Sequence, residues 1–246
     1  KKHLISNDKI LVNLAKGIEI DSLLTISGVL QDILGHDFNN IVALSGPSHA
    51  EEVIFGHPTT LVSASKNENS ATIIQEIFSN NTLRTYKNHD ILSVELGGAM
   101  KNVIAIAAGI CDGIGYGDNS KAALLTRGMG EISKLGSAMG AESLTFQGLS
   151  GFGDLIVTCL SKHSRNRSVG QAIGEGRSLE NVLGEMSMVA EGVLSAKSIH
   201  QLRLKHNVDM PIHEAIYNVI FEGKDPKKSV EELMTRTLTN ELRSDI

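Results

Sequence analysis

The sequence predicts an α/β region followed by an all-helical region. Three observations carry that expectation. Strand-like and helix-like segments alternate over roughly the first ninety residues. Strand runs then stop near Ile91, and every later segment carries apolar residues at helical spacing. Between the two stands Val103-Ile104-Ala105-Ile106-Ala107-Ala108-Gly109-Ile110-Cys111, which has no polar face and as a helix is buried on all sides.

The elements follow in order. Residues 9–14 read as a strand and 22–34 as a helix. A second strand at 41–44 ends at Ser45-Gly46-Pro47-Ser48, and a short helix covers 50–55. Residues 60–64 form a third strand, 70–78 a helix capped by Ser70, and 83–86 a fourth strand. Such alternation predicts a parallel-type sheet. Helices are then expected at 94–111, 120–140, 155–159, 168–175, 179–183, 189–204, 211–221 and 228–233. The domain boundary falls near residue 92, giving an α/β part at 1–92 and a helical part at 93–246. A dinucleotide fold normally opens with a strand, a Gly-rich turn and a helix. No G-x-G-x-x-G follows a strand here, and Gly113-Ile114-Gly115-Tyr116-Gly117 leaves a helix instead. The first part therefore reads as the C-terminal part of a doubly wound dinucleotide-binding domain.

Composition narrows the function. The chain has 246 residues, 41% hydrophobic and 21% charged, which suits a globular protein with a sizeable core. Net charge is −5 with no basic block, and aromatics make up 4% with no tryptophan. Neither electrostatics nor stacking groups fit a nucleic-acid binder. Cys111 and Cys159 make no disulfide framework and read as reduced packing residues of a cytoplasmic protein. No metal-ligand spacing occurs, and the nine histidines read as scattered surface or core residues. The basic N-terminus lacks an apolar core and is not a signal peptide. No uninterrupted apolar stretch reaches the length of a membrane span.

Five places could carry chemistry. Lys101 and Asn102 stand at the head of the apolar run, at the edge of a core. Apolar surroundings and a positive helix end both lower a lysine pKa, which suits acid–base work. The alternative is a lysine whose stem lies on apolar surface while its amine reaches water. Asp154 and Thr158 are four residues apart and share a helix face. Asp154 is equally a helix cap, and Thr158 ordinary packing. Ser164-Arg165-Asn166-Arg167 precedes a helix and is either an anion site or a solvated basic turn. Gly46 and Ser48 follow a strand end, where ligands bind in doubly wound sheets, or else form a plain turn. Lys16 has the same placement after the first strand, with the same alternative.

Taken together the segments resemble the bacterial-type glycerol-3-phosphate dehydrogenase (NAD(P)+) family. The resemblance rests on Gly98-Ala99-Met100-Lys101-Asn102-Val103-Ile104-Ala105 continuing through Gly115-Tyr116-Gly117-Asp118-Asn119, and on Leu44-Ser45-Gly46-Pro47-Ser48-His49-Ala50-Glu51-Glu52-Val53. It rests also on the segment 154–166 and on Val189-Ala190-Glu191-Gly192. It implies a Rossmann-like domain followed by a helical substrate domain of the 6-phosphogluconate dehydrogenase C-terminal type. It implies NAD or NADP as cofactor, a small phosphorylated substrate, a homodimer, and a part in glycerophospholipid synthesis. By the resemblance, Lys101 exchanges a proton with the substrate C2 oxygen, and Asp154 and Thr158 orient it. Ser164, Arg165 and Asn166 bind the substrate phosphate, with Gly46 and Ser48 as further substrate contacts. Lys16 and Arg165 touch both substrate and cofactor, and Ala50, Val189 and Glu191 contact the cofactor. The family's Gly-rich segment is expected before Lys1, so the chain reads as lacking it. Two other readings use the same residues: a related β-hydroxyacid-type dehydrogenase, and an inactive truncated fragment.

Overall fold

A computed structural model describes residues 5–6, 8–36, 38–186 and 190–241. The α/β part runs β1 (Leu11–Asn13), α1 (Ile26–Leu34), β2 (Ile41–Ser45), α2 (Ala50–Ile54), β3 (Thr59–Ala64), α3 (Glu68–Ile77) and β4 (Leu83–Asn88). The strands form one sheet in the order β1-β2-β3-β4. β2 is buried along its whole length. Its alternate residues serve opposite faces: Ile41 and Ala43 pack with Phe38, Val62, Ile91 and Val94, while Val42 and Leu44 pack with Leu61 and Ile74.

The sheet is mixed, not parallel as the alternation predicts. β1 and β2 run parallel, as do β3 and β4, but β2 and β3 are antiparallel with Ala43 opposite Ala64. The cause lies in the connection. α2 has only five residues, about 7.5 Å of rise, so it cannot carry the chain back along a strand as a crossover helix does. A second correction concerns α3. Asn67, not Ser70, caps it, its side chain accepting from the backbone N–H groups of Asn69 and Ser70.

The helical part is built around α4 (Ile91–Ile114). Around it lie α5 (Asp118–Ala138), a π-helical turn at Leu149–Gly153, α6 (Asp154–Leu160), α7 (Arg165–Gly174) and α8 (Leu179–Glu185). They are followed by α9 (Glu191–Lys205), α10 (Pro211–Phe221) and α11 (Pro226–Met234). Of the residues with expected roles, Val189 lies outside the described residues. α4 is long and apolar enough to cross a membrane by length and composition, yet 94% of its most apolar window is buried inside the protein. It is the core helix: its own Ile104 and Ile106 pack in one cluster with Ile132, Leu135, Phe146, Leu155 and Ile199 from the surrounding elements.

α4 and α7 touch backbone to backbone. A Cβ on Gly109 would stand 1.9 Å from the Arg167 carbonyl oxygen, and one on Gly170 would stand 1.9 Å from that of Ile106. Only glycine permits this approach. The crossing brings the N-terminus of α7 against the middle of α4, which is where the chemistry-bearing residues meet. Both cysteines are free and buried, Cys111 in α4 and Cys159 in α6.

Candidate active site

α4 begins at Ile91, capped by Asp90, whose side chain accepts from the Ser93 backbone N–H. Lys101 therefore sits in mid-helix, about 15 Å from the helix start, and not at a helix head as the apolar run implies. The helix dipole acts only over the first turn and does not reach it. Burial does the work instead. Lys101 is 5% exposed, and desolvation lowers its pKa from 10.5 to about 8. Asp154 opposes this and Lys16 reinforces it through their charges.

Asp154 opens α6 but caps nothing, since Gly153 holds the cap position. Its carboxylate lies between two ammonium groups. Lys101 Nζ is 2.9 Å from Oδ1, and Lys16 Nζ is 2.6 Å from Oδ2. Thr158, one turn on, donates its hydroxyl to the Asp154 carbonyl oxygen at 2.6 Å and accepts from Lys101 Nζ at 2.6 Å. The shared face read from the spacing is therefore real, and it is turned onto the lysine. The preceding π-helical turn lays Ser150 against Gly97, where a Cβ would meet the Ser150 carbonyl oxygen at 3.0 Å. That close seat presses the start of α6 onto α4.

A cleft of about 210 Å³ opens above Lys101. Lys16, Ser48, Lys101, Asp154, Thr158, Ser164, Arg165, Asn166 and Glu191 all line it. Ser164 caps α7, accepting from the Arg167 N–H, so Arg165 and Asn166 occupy the first turn of that helix. Asn166 Oδ1 accepts from the Gly192 N–H at 2.9 Å, which ties α7 to the start of α9. Glu191 Oε2 accepts from Asn102 Nδ2 at 3.2 Å.

Three expected contacts stand apart from the cleft lining. Gly46 is buried behind it at φ +146°, a conformation and a space that admit only glycine, and its carbonyl accepts from Ser48 Oγ at 3.2 Å. Ala50 is exposed at the start of α2. Arg167 is drawn away. Asp112 takes its Nε at 2.7 Å and Nη2 at 2.6 Å, and also takes Lys121 at 2.9 Å. The basic run thus brings one arginine to the cleft lining, Arg165, and not two.

The cleft also gathers Asn102, which the sequence sets beside Lys101, and His49 and His163, which single-residue reasoning passes over. No signal marks the histidines, because nothing in the local pattern relates positions so far apart. Their ring centroids lie 6.0 Å apart with the planes tilted by 54°, and the buried His49 Nε2 has no hydrogen-bond partner among the described residues.

Chemically the cleft offers one tuned amine held by a carboxylate and a hydroxyl, beside a guanidinium and a helix N-terminus. That suits moving a proton on a small anionic substrate. The donor set also fits a phosphate-rich cofactor, which residues after the strand ends and at the start of α9 would hold. Lys16 and Arg165 supply positive charge, and the orphaned His49 nitrogen is an unused polar group.

Comparisons with known proteins identify the family of the chain. Residues 90–231 match the family described as NAD-dependent glycerol-3-phosphate dehydrogenase C-terminus, and residues 1–71 match its N-terminus counterpart. A Bacillus velezensis protein named glycerol-3-phosphate dehydrogenase (NAD(P)+) is 53% identical over 97% of this chain and 69% of its own length. A Salinibacter ruber protein of that name is 53% identical over 94% of this chain and 68% of its own length. The crystal structure of glycerol-3-phosphate dehydrogenase from Coxiella burnetii superposes with a TM-score of 0.87 at 35% identity, covering 96% of this chain and 71% of that one. Family models over both parts of the chain, and relatives more than half identical, have one meaning: the chain belongs to the NAD-dependent glycerol-3-phosphate dehydrogenase family.

Proposed function

We propose that Lys101 is the acid–base group with which this NAD(P)-dependent oxidoreductase interconverts sn-glycerol 3-phosphate and dihydroxyacetone phosphate. The observation that carries the proposal is the buried contact of Lys101 with Asp154 and Thr158 on the floor of a cleft that Arg165 also lines. In oxidation, neutral Lys101 takes the proton of the C2 hydroxyl as the C2–H pair leaves as hydride, and a ketone remains. In reduction the ammonium returns that proton to the C2 oxygen. A bound nicotinamide supplies the hydride acceptor or donor.

The other residues bind and orient. Asp154 and Thr158 fix the amine, so that its reach to the substrate costs little entropy. Ser164, Arg165 and Asn166 hold the substrate phosphate, where a planar guanidinium and helix N–H groups match the anion. Binding energy taken up there orients the remote C2 carbon. Gly46 and Ser48 shape the loop beside the substrate, and Lys16 bridges substrate and cofactor. Ala50, Arg165, Val189 and Glu191 complete the cofactor contacts. In this reading residues 1–92 carry the cofactor and 93–246 the substrate. The enzyme works as a homodimer in the cytoplasm, with glycerophospholipid synthesis as the consumer of its product.

The test is Lys101→Ala. Turnover of dihydroxyacetone phosphate with NADH or NADPH is expected to fall by at least about 10³-fold, with circular dichroism and melting close to wild type. Retained turnover overturns the assignment. Activity on a 3-hydroxyacid with none on glycerol 3-phosphate replaces the substrate but keeps the lysine.

A further inference from the structure

We infer that Glu95 is a positioning residue for the proton-transfer site, acting through Asn13 on the turn that carries Lys16. The inference rests on the reading of Lys101 just given. Glu95 lies on α4 and is 6% exposed, and a buried carboxylate is retained only where it is well partnered. Its Oε1 accepts from Asn13 Nδ2 at 3.0 Å and from the Ser27 backbone N–H at 2.9 Å, and its Oε2 accepts from Ser27 Oγ. None of the proposed catalytic steps uses it.

The connection from Glu95 to the amine can be followed atom by atom. Asn13, the last residue of β1, spends both side-chain atoms on Ala15. Its Oδ1 accepts from the Ala15 N–H at 2.9 Å and its Nδ2 donates to the Ala15 carbonyl at 3.2 Å. This folds the chain after β1 into a tight turn, and the next residue is Lys16. The Lys16 stem then runs over Gly98, where a Cβ would stand 3.4 Å from Cγ and 3.5 Å from Cδ. Its amine ends 2.6 Å from Asp154 Oδ2. Residues 95, 98 and 101 are spaced at i, i+3, i+6 and form one inclined row that winds along α4. Glu95 holds the backbone of the Lys16 turn, Gly98 leaves room for the stem, and Lys101 meets the same carboxylate that the Lys16 amine reaches.

The consequence is electrostatic. The groups facing Lys101 are Asp154 and Cys159 from α6 and Lys16 from the β1 turn, with Arg165, Glu191, His49 and His163 around the cleft. Of these, Lys16 is the one tied to Glu95 through the hydrogen bonds of Asn13. Its positive charge helps Lys101 to lose its proton. Releasing the turn withdraws that charge and leaves Asp154 to Lys101 alone, and both changes favour the protonated amine.

The experiment measures kcat/KM against pH on the whole enzyme for Glu95→Ala, Glu95→Gln, Asn13→Ala and Lys16→Ala. Glu95→Ala and Asn13→Ala are expected to lose roughly tenfold to a hundredfold in kcat/KM and to move the Lys101 limb to higher pH. Glu95→Gln keeps an acceptor toward Asn13 and is expected to keep the limb near its wild-type place. Lys16→Ala shifts the limb in the same direction, and adding Glu95→Ala to it shifts the limb no further. A limb that stays in place while rate or melting temperature falls makes Glu95 a structural tie only and overturns the inference. So does a Glu95→Gln limb displaced as far as that of Glu95→Ala, which would mean direct charge and not position. If Glu95→Ala fails to fold, Asn13→Ala carries the test without touching α4. Turnover surviving in Lys101→Ala defeats the underlying reading, whereas an inactive Lys101→Ala with unmoved limbs defeats Glu95 alone.

Discussion

Lys101 Nζ stands 2.9 Å from Asp154 Oδ1, and both side chains are almost wholly buried, 6% and 3% exposed. A buried ion pair of this kind seldom stabilises a fold, because desolvation of two charges consumes most of the attraction. Here the balance leaves the lysine with a pKa of about 8. An amine poised there exchanges a proton readily on either side of neutrality, which an ordinary lysine cannot do.

The pH profile follows with opposite signs in the two directions. Oxidation needs Lys101 neutral, so kcat/KM for glycerol 3-phosphate is expected to rise as pH climbs through about 8 and then level. Reduction needs the ammonium, so kcat/KM for dihydroxyacetone phosphate holds below that pH and falls above it. Initial rates in both directions across pH 6 to 10, roughly the span bracketing such a limb, provide the check. Parallel slopes in the two directions would rule out a shared acid–base lysine.

Asp154→Asn removes the charge while leaving the shape. Lys101 then faces Lys16 with no counter-ion, and its pKa falls further below the ordinary lysine value. The limb is expected to move to lower pH in both directions, the reverse of the shift from freeing Lys16. A loss of about 10²-fold in kcat accompanies it. A pH–rate series on the variant reads both effects, and an unmoved limb would remove Asp154 from the tuning of Lys101.

Arg165 gives a prediction about the far end of the substrate. Its guanidinium is the cleft's bidentate phosphate partner in this reading. Arg165→Ala is expected to raise KM for the phosphorylated substrate by about 10²-fold, with a much smaller change for unphosphorylated glycerol or dihydroxyacetone. Equal losses on both would place Arg165's contribution with the cofactor and not with the phosphate.

Much of this site could be read from the sequence, for a reason visible in its parts. Asp154 and Thr158 lie within one helical turn, so spacing alone put them on a common face. Ser164, Arg165 and Asn166 are contiguous, so their joint arrival at a helix start needed no tertiary information. The failures are those where tertiary structure decides. Arg167 looked equivalent to Arg165 until α4 presented Asp112 to it. Lys101 reads as near a helix head because the apolar run begins beside it, although the helix expected from Val94 already sets it about two turns in, and α4 starts earlier still, at Ile91. The antiparallel turn between β2 and β3 was hidden by α2, whose sequence reads as a helix but whose length cannot serve as a crossover. His49 and His163 meet only because two loops converge.

The α4–α7 crossing joins fold to function and supplies the last prediction. Arg165 and Asn166 stand beside Lys101 and Asn102 only because the two helices pack at backbone distance through Gly109 and Gly170. A methyl at Gly109 would lie 1.9 Å from a carbonyl oxygen of α7, and backbone cannot swing aside as a flexible side chain can. Gly109→Ala is expected to cost at least about 3 kcal/mol, read as a lowered midpoint in urea unfolding. Gly130, also on a helix, has nothing within 4 Å of its would-be Cβ among the described residues. Gly130→Ala is accordingly expected to be neutral or to stabilise by about 0.5–1 kcal/mol. If folded Gly109→Ala protein is recovered, the helices have moved apart, and its loss should fall on KM for the phosphorylated substrate first. Ser164, Arg165 and Asn166 would then have shifted relative to the lysine, while the contact of Lys101 with α6 would be left intact. Equal stability of the two variants would show that the crossing is looser than these contacts require.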